Sequence, residues 1–107
     1  MKMATPTPSH TSVKNSSALT RSQAETLALQ VLTFLLEDNE RIKKFLQLTG
    51  VDPDDLPALA PQPRFLLAVL DHLAGDEELL MIFARQLGLN PEVIAFARSA
   101  FGGGDAG

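Results

Sequence analysis

Residues 45–54 read FLQLTGVDPD, and residues 83–92 read FARQLGLNPE, 38 positions later. In each copy a glycine follows an apolar segment, as is typical of the left-handed residue that ends a helix. Asp52 or Asn90 then offers a side-chain oxygen to the first free N–H groups of another helix. A proline follows at the first helical position, where its missing N–H costs nothing. The stretch therefore predicts the same helix–corner–helix unit twice.

The 38-residue offset extends without a gap from residues 26–59 to residues 64–97. No segment alternates apolar and polar residues with the period of a strand. We interpret the offset as an internal duplication. It predicts an all-α fold, a compact bundle of five to six short helices built from two tandem three-helix units (about residues 22–60 and 61–101). Residues 26–59 and 64–97 are expected to superpose about a pseudo-twofold axis.

The first unit contains the start signals of two long helices. Ser22 and Glu25 have the spacing of a capping box, so the first helix is expected to begin at Ser22. Asp38 is placed to cap the second helix, which should end at Thr49. The apolar side chains expected to face inward from the second helix are Ile42, Phe45, Leu46 and Leu48.

The third helix should be short, because Pro57 cannot donate a hydrogen bond to the preceding turn. It is expected to end before Pro61. In the second unit, helices are predicted over about residues 62–74, from Asp76 to residue 87, and over about residues 91–101. The three glycines at 102–104 are expected to stop the last of these helices.

The sequence predicts one helical domain over residues 20–101, a disordered N-terminal tail over residues 1–19 and a flexible tail over residues 102–107. The N-terminal segment is rich in Pro, Ser and Thr and has too few apolar side chains to offset the entropy of ordering. The 107-residue sequence has no cysteine and no apolar run of membrane-spanning length. We therefore expect no membrane association and a cytoplasmic location.

The charge distribution argues against nucleic acid as a partner. Residues 20–101 contain seven basic and twelve acidic side chains. The helices that follow the two corners open with acidic residues, Asp54 and Asp55 in one and Glu92 in the other. These would repel the phosphates that supply most of the affinity for DNA. A helix-turn-helix-like regulator that binds nucleic acid through these corners is the alternative function.

The groups that could support catalysis are few. His72 lies one helical turn before Asp76, which could orient an imidazole, but no cysteine or tyrosine accompanies the pair. We interpret His72 as a partly buried structural histidine. The carboxylates cluster in the first turns of helices, where they favour the helix dipole. The sequence thus predicts no enzyme, no metal site and no cofactor.

The fifth helix differs most from its counterpart in the first unit. Where the second helix has Arg41, Lys43 and Lys44, the fifth has apolar residues. A helix that is apolar on nearly every side is central in the fold or carries an interface. We expect a central helix with a modest apolar patch left over. The candidate interaction surface consists of Leu79, Met81 and Ile82, with Phe96 of the sixth helix.

Four segments of the chain carry a family resemblance: residues 24–30 (AETLALQ), 46–53 (LQLTGVDP), 65–73 (FLLAVLDHL) and 88–92 (GLNPE). They resemble a family of small all-helical alphaproteobacterial proteins that is catalogued only as a domain of unknown function. The resemblance covers about residues 22–101 and implies a helical bacterial protein of the cytoplasm. Because the shared residues are helix caps and core positions, it transfers no functional residue.

The leading hypothesis from the sequence is a non-enzymatic protein–protein interaction module, which binds an unidentified protein partner or forms a weak homodimer. A pull-down that returns one stoichiometric protein favours this hypothesis. A salt-dependent shift in a DNA gel assay favours the nucleic-acid alternative.

Overall fold

The structure is a computed structural model that describes the backbone of residues 19–106 and the side chains of residues 19–101. Every element of regular structure in this range is helical. The N-terminal residues 1–18, for which a disordered tail was predicted, lie outside it. The elements in chain order are α1 (Arg21–Leu36), α2 (Asn39–Thr49), a 3₁₀ turn (Pro53–Asp55), α3 (Leu56–Leu59), α4 (Pro63–Ala74), α5 (Glu77–Leu87) and α6 (Glu92–Ala106).

The centre of the bundle is formed by α1, α4 and α6, which make their most extensive contacts with one another. The second helix packs on α1, and α5 packs on α4. One continuous apolar core results, and none of the polar side chains of residues 19–101 is fully buried. The fully buried side chains of largest volume are Phe34, Phe45, Phe83, Leu35, Leu66, Leu70, Leu73, Ile94, Val31 and Val69.

The predicted corners are present. Gly50 and Gly88 end α2 and α5 with φ of 74° and 67°, the left-handed conformation that favours glycine. Asp38 caps α2 by accepting from the backbone N–H of Glu40 at 2.8 Å. Asp76 caps α5 in the same way, with the N–H of Leu79 at 3.1 Å. These local predictions are confirmed because caps and turns depend on neighbouring residues alone.

Both outer ends of the helical domain differ from the prediction. The capping box at the start of α1 pairs Thr20 with Gln23, so the helix begins at Arg21 and the predicted box of Ser22 and Glu25 is wrong. Leu19, assigned to the tail, packs against the core. The last helix continues through the three glycines to Ala106. Glycine weakens a helix by about 1 kcal/mol per residue but does not forbid its dihedral angles.

The expectation that the fifth helix is central is wrong. Of its side chains only Phe83 and Ala84 are buried, whereas α1 buries seven. The run of apolar residues in α5 is distributed around the helix, and the helix lies at the edge of the bundle. Leu48 of α2 was also expected to face inward, yet it is 68% exposed. Helical periodicity alone does not specify which neighbours a helix will have.

The duplication remains a prediction, although several features agree with it. The helix α5 begins and ends 38 positions after α2, and α4 ends 38 positions after α1. The third helices of the two units differ: residues 53–59 form a 3₁₀ turn and one short helix, whereas α6 spans 15 residues. Pro57 accounts for the short form because it removes a donor from the first unit.

Across residues 19–106, no single helix has the length and apolar content needed to cross a membrane. Only α5 together with the segment Glu92–Phe101 meets that requirement, and the two are bent by 101° at the break between them.

Candidate interaction surfaces

The four residues of the predicted interaction surface do not share one environment. Met81 and Ile82 are 41% and 38% exposed. Leu79 is half-buried and packs against the core, and Phe96 is half-buried on α6. The α5 helix packs on α4, whereas α6 packs on α1 and α4, so these side chains come from helices that do not pack along each other. That these four residues form one interaction surface remains a prediction.

Charged residues surround the exposed part of this set. Met81 follows Glu77 and Glu78 by four and three residues and precedes Arg85 by four, so all three are its neighbours on the helix surface. All three of these charged residues are exposed. The apolar area around Met81 is therefore small and divided by charges.

A second surface, which the sequence analysis did not single out, lies on α1. Residues 26–36 of this helix contain no charged side chain. Leu29 and Leu36 are 43% and 50% exposed and lie two helical turns apart. Residues spaced by alternating steps of four and three lie on one side of a helix. We call the residues of this side the outer stripe: Ser22, Thr26, Leu29, Thr33 and Leu36.

Two concavities extend along α1 beside the outer stripe. One has a volume of about 310 Å³ and lies between the first half of α1 and the corner that joins α5 to α6. The other, of about 270 Å³, lies between the second half of α1 and the end of α5. Gln30 lines both, and we refer to the two concavities together as the α1 groove. Its apolar lining consists of Leu19, Leu27, Leu89, Val93, Phe34 and Leu87.

The α1 groove is almost free of charge. Among the residues that the structure describes, Glu37 at the end of α1 is its one charged lining residue, and the Nε2 amide of Gln86 donates to its Oε1 at 3.2 Å. The other polar residues that line it are Ser22, Gln23, Thr26, Gln30 and Thr33. A largely apolar lining with few charges is the composition of a groove that can receive the apolar face of a helix.

A third concavity, of about 510 Å³, is polar and surrounds His72. The ring of His72 contacts the ring of Phe45 edge-on, and its Nε2 atom is buried without a hydrogen-bond partner in the described part of the chain. Burial lowers the pKa of His72; the carboxylate of Asp76 raises it and the ammonium of Lys44 lowers it. The imidazole is thus mainly neutral near pH 7 and does not present Nε2 to solvent.

Two carboxylates of this polar cleft, those of Asp71 and Asp76, have structural partners. Asp71 accepts from Nε of Arg98 at 2.7 Å, which joins α4 to α6. Asp76 caps α5 with one oxygen, and the other lies 3.9 Å from Nζ of Lys44. Among residues 19–101, no three His, Asp or Glu side chains are arranged to hold a metal ion.

Of the three neighbouring basic residues of α2, two have interaction partners within the fold. The guanidinium of Arg41 lies 4.0 Å from the ring centroid of Phe34, and its Nη1 donates to the Phe34 carbonyl at 3.2 Å. Lys44 lies beside Asp76, as described above. Lys43 is exposed. The acidic side chains that open the helices after the corners, Asp54 and Glu92, are exposed as well.

No curated protein and no solved structure matches the chain. The sequence profile described as "Protein of unknown function (DUF3572)" matches residues 21–104, which include all six helices up to the glycines of α6. The predicted family resemblance is thereby confirmed at the level of a domain of unknown function. The chain belongs to the DUF3572 family.

Proposed function

We propose that the protein is a non-enzymatic protein–protein interaction module that binds its partner through α1. The observation that carries the proposal is the combination of an uncharged, partly apolar outer stripe with the α1 groove beside it. Exposed faces of helices usually carry charged residues, as α2 and α5 do here. An uncharged face with exposed leucines is typical of a surface that another protein covers.

The environment of His72 supports the non-enzymatic part of the proposal. A general base must place a nitrogen within reach of its substrate. The Nε2 atom of His72 is buried, and the nearby Asp71 and Asp76 carboxylates serve as links between helices and as a cap. Within residues 19–101, no serine, threonine or tyrosine that could act as a nucleophile lines the cleft.

The charge of the chain supports a protein rather than nucleic acid as the partner. The sequence has a net charge of −4, and acidic residues are exposed at the helix starts where a DNA-binding helix would meet phosphates. Arg41 and Lys44 already have partners within the fold. The cysteine-free sequence is compatible with the reducing cytoplasm, where we expect the protein to act.

The test is a pull-down with the tagged full-length chain from cells that produce it naturally. The parent is compared with Leu29→Lys/Leu36→Lys, which places two charges on the outer stripe. The matched control is Leu48→Lys, which charges the most exposed leucine of α2. We expect one stoichiometric protein with the parent and the control, and a loss of at least roughly tenfold with the double variant, since each desolvated charge disfavours binding strongly.

Two results would overturn this assignment. Recovery of no protein by the parent removes the interaction role. Equal recovery by the parent and the double variant, together with loss in Met81→Lys, places the binding site on α5 instead of α1. Thermal melts of all four chains establish that each variant is folded, since Leu29, Leu36, Leu48 and Met81 are all exposed.

A further inference from the structure

We infer that the chain's own N-terminal segment, residues 1–18, occupies the α1 groove in the absence of a partner and is displaced when the partner binds. This inference rests on the proposed function, because it states how access to the same surface is regulated. It is argued from the place where the segment joins the fold, from its charge and from the chemistry of the groove lining.

The N-terminal segment joins the fold at the α1 groove. Leu19, the first residue that the structure describes, lines the first concavity and packs against the core. An extended chain advances about 3.3 Å per residue, so the 18 residues before Leu19 span up to about 59 Å. The length of α1 from Arg21 to Glu37 is only about 24 Å. The segment is therefore long enough to follow both concavities.

The N-terminal segment and the rest of the chain carry opposite charges. Residues 1–18 contain two lysines and no acidic residue, whereas the remainder contains seven basic and thirteen acidic residues. No lysine or arginine of residues 19–101 lines the groove. Glu37 lines the second concavity, and the exposed Glu92 precedes Val93 of the first. Electrostatic attraction therefore favours the segment, rather than another acidic surface, at this position.

The apolar part of the first concavity has a matching side chain in the segment. Val13 is the one branched aliphatic residue of positions 4–18. It lies six residues before Leu19, which allows a reach of about 20 Å, and the first concavity extends about 12 Å along α1. Val13 can thus contact the apolar lining, and Lys14 beside it can approach Glu92. The apolar lining in question is Leu27, Leu89 and Val93.

The polar lining suits the backbone of an extended segment. Gln23 and Gln30 carry amide groups and Ser22 and Thr26 carry hydroxyl groups, and all four residues are exposed. Such groups both donate and accept hydrogen bonds. Backbone N–H and C=O groups that leave water need partners of this kind. Residues 9–18 contain no proline, so every one of them retains its N–H donor.

The docked segment is expected to be held weakly and reversibly. A segment with too few apolar residues for a core of its own can still bind a surface that the folded domain supplies. The covalent link helps, because a short tether gives an effective concentration of about the millimolar range. A partner that needs the groove then binds only the undocked fraction of the molecules, which lowers its apparent affinity.

Disulfide formation between paired cysteines tests the contact, since the chain has no cysteine of its own. Ser12→Cys is combined with Gln30→Cys in the groove or, as the matched control, with Leu29→Cys on the outer stripe. Positions 29 and 30 are both exposed and lie at nearly the same height on α1, about 100° apart. Both are within the reach of about 23 Å that seven residues allow from Leu19.

We expect the Ser12→Cys/Gln30→Cys pair to form an intrachain disulfide roughly five times faster or more than the control pair, because docking concentrates the thiols on that side of α1. Adding Val13→Asp/Lys14→Glu should remove the difference. Thermal melts check that all variants fold. Equal rates for the two pairs would overturn the docked segment. Covalent dimers in place of linked monomers would identify a second copy as the occupant and overturn it as well.

Regulation is tested by the pull-down described above, with Val13→Asp/Lys14→Glu in the full-length chain. We expect roughly threefold more partner than with the parent, because the groove is no longer occupied. Unchanged recovery would overturn the regulatory role. If the two cysteine pairs link equally fast while the parent recovers a protein that Leu29→Lys/Leu36→Lys loses, the inference fails and the proposed function stands. If the groove pair links faster but neither the parent nor Val13→Asp/Lys14→Glu recovers a protein, the proposed function fails and only the docked segment stands.

Discussion

The ring of His72 meets the ring of Phe45 edge-on, with centroids 5.1 Å apart and planes at 76°. Phe34 and Phe83 meet in the same way, at 5.2 Å and 71°. Phe34 lies 38 positions before His72, and Phe83 lies 38 positions after Phe45. The two contacts are therefore counterparts under the predicted repeat. In each, the long first helix of one unit contacts the second helix of the other.

This relationship gives His72 a structural role that depends on pH. Burial is the main cause that lowers the pKa of His72 from 6.5; Asp76 raises it and Lys44 lowers it. The unfolded chain then binds more protons than the native protein at and below about pH 6.5. The free energy of unfolding contributed by His72 is fully present above that pH and decreases as the pH falls.

His72→Phe should remove this dependence, because phenylalanine already occupies the counterpart position at Phe34 and cannot be protonated. We expect the variant to gain stability relative to the parent as the pH is lowered from about 7.5 to about 5.5. Urea unfolding gives the free energy of unfolding of both proteins at the two pH values. Subtracting the parent's value from the variant's at each pH cancels the pH-dependent contribution of the carboxylates that both proteins share. A difference that is constant with pH would contradict the assignment.

The two corner glycines should be intolerant of side chains for a backbone reason. Gly50 and Gly88 have positive φ, and a Cβ atom at either position would meet no atom within 4 Å. Alanine there is strained without a clash, and we expect each Gly→Ala variant to lose about 1 kcal/mol. Gly75 is the matched control: its φ is −82°, and a Cβ would meet the Asp71 carbonyl at 3.4 Å. Gly75→Ala should change the unfolding free energy little, and equal losses at all three positions would refute the argument.

The corners could be predicted from sequence because their chemistry is local. A glycine, a cap and a proline within five residues determine how one helix ends and another begins. The position of a helix within the bundle is a tertiary property. The apolar segment Leu79–Phe83 is conspicuous in the sequence, yet α1 contributes seven buried side chains to the core and the fifth helix only two. The start of α1 differs from the prediction because Thr20 and Gln23 have the same box spacing as Ser22 and Glu25, and the structure forms the box of Thr20 and Gln23.

The α1 surface was visible in the sequence only as an uncharged run over residues 26–36. Such a run is equally compatible with a fully buried helix, so exposure of Leu29 and Leu36 had to come from the structure. The predicted surface on α5 was inferred from apolar residues that replace charged ones. That comparison locates Met81 and Ile82 but cannot show that Leu79 packs on the core.

Arg41 should stabilise the fold through Phe34 rather than through its charge alone. Its planar guanidinium lies over the ring, and a hydrogen bond joins it to the carbonyl of the same residue. Arg41→Lys keeps the charge and loses the stacked plane, so we expect a loss of about 0.5–1 kcal/mol. Lys43→Ala removes an exposed charge from the same helix and should change stability by less. Chemical denaturation compares the two, and an Arg41→Lys protein as stable as the parent would contradict the role.

Met81 and Leu79 provide the last comparison, because they lie on one helix and differ in environment. Met81 is exposed and follows Glu77 by four residues and Glu78 by three, so Met81→Lys creates two favourable pairs worth about 0.2–0.5 kcal/mol each. A like-charge pair with Arg85, four residues later, offsets about one of them. Its stability should therefore equal or slightly exceed that of the parent. Leu79 is half-buried against the core, and Leu79→Lys should destabilise by about 1–3 kcal/mol. Thermal melts measure both effects, and sedimentation of the parent beside Met81→Lys reports association. A self-association that Met81→Lys abolishes, with stability unchanged, would place a contact between copies on α5.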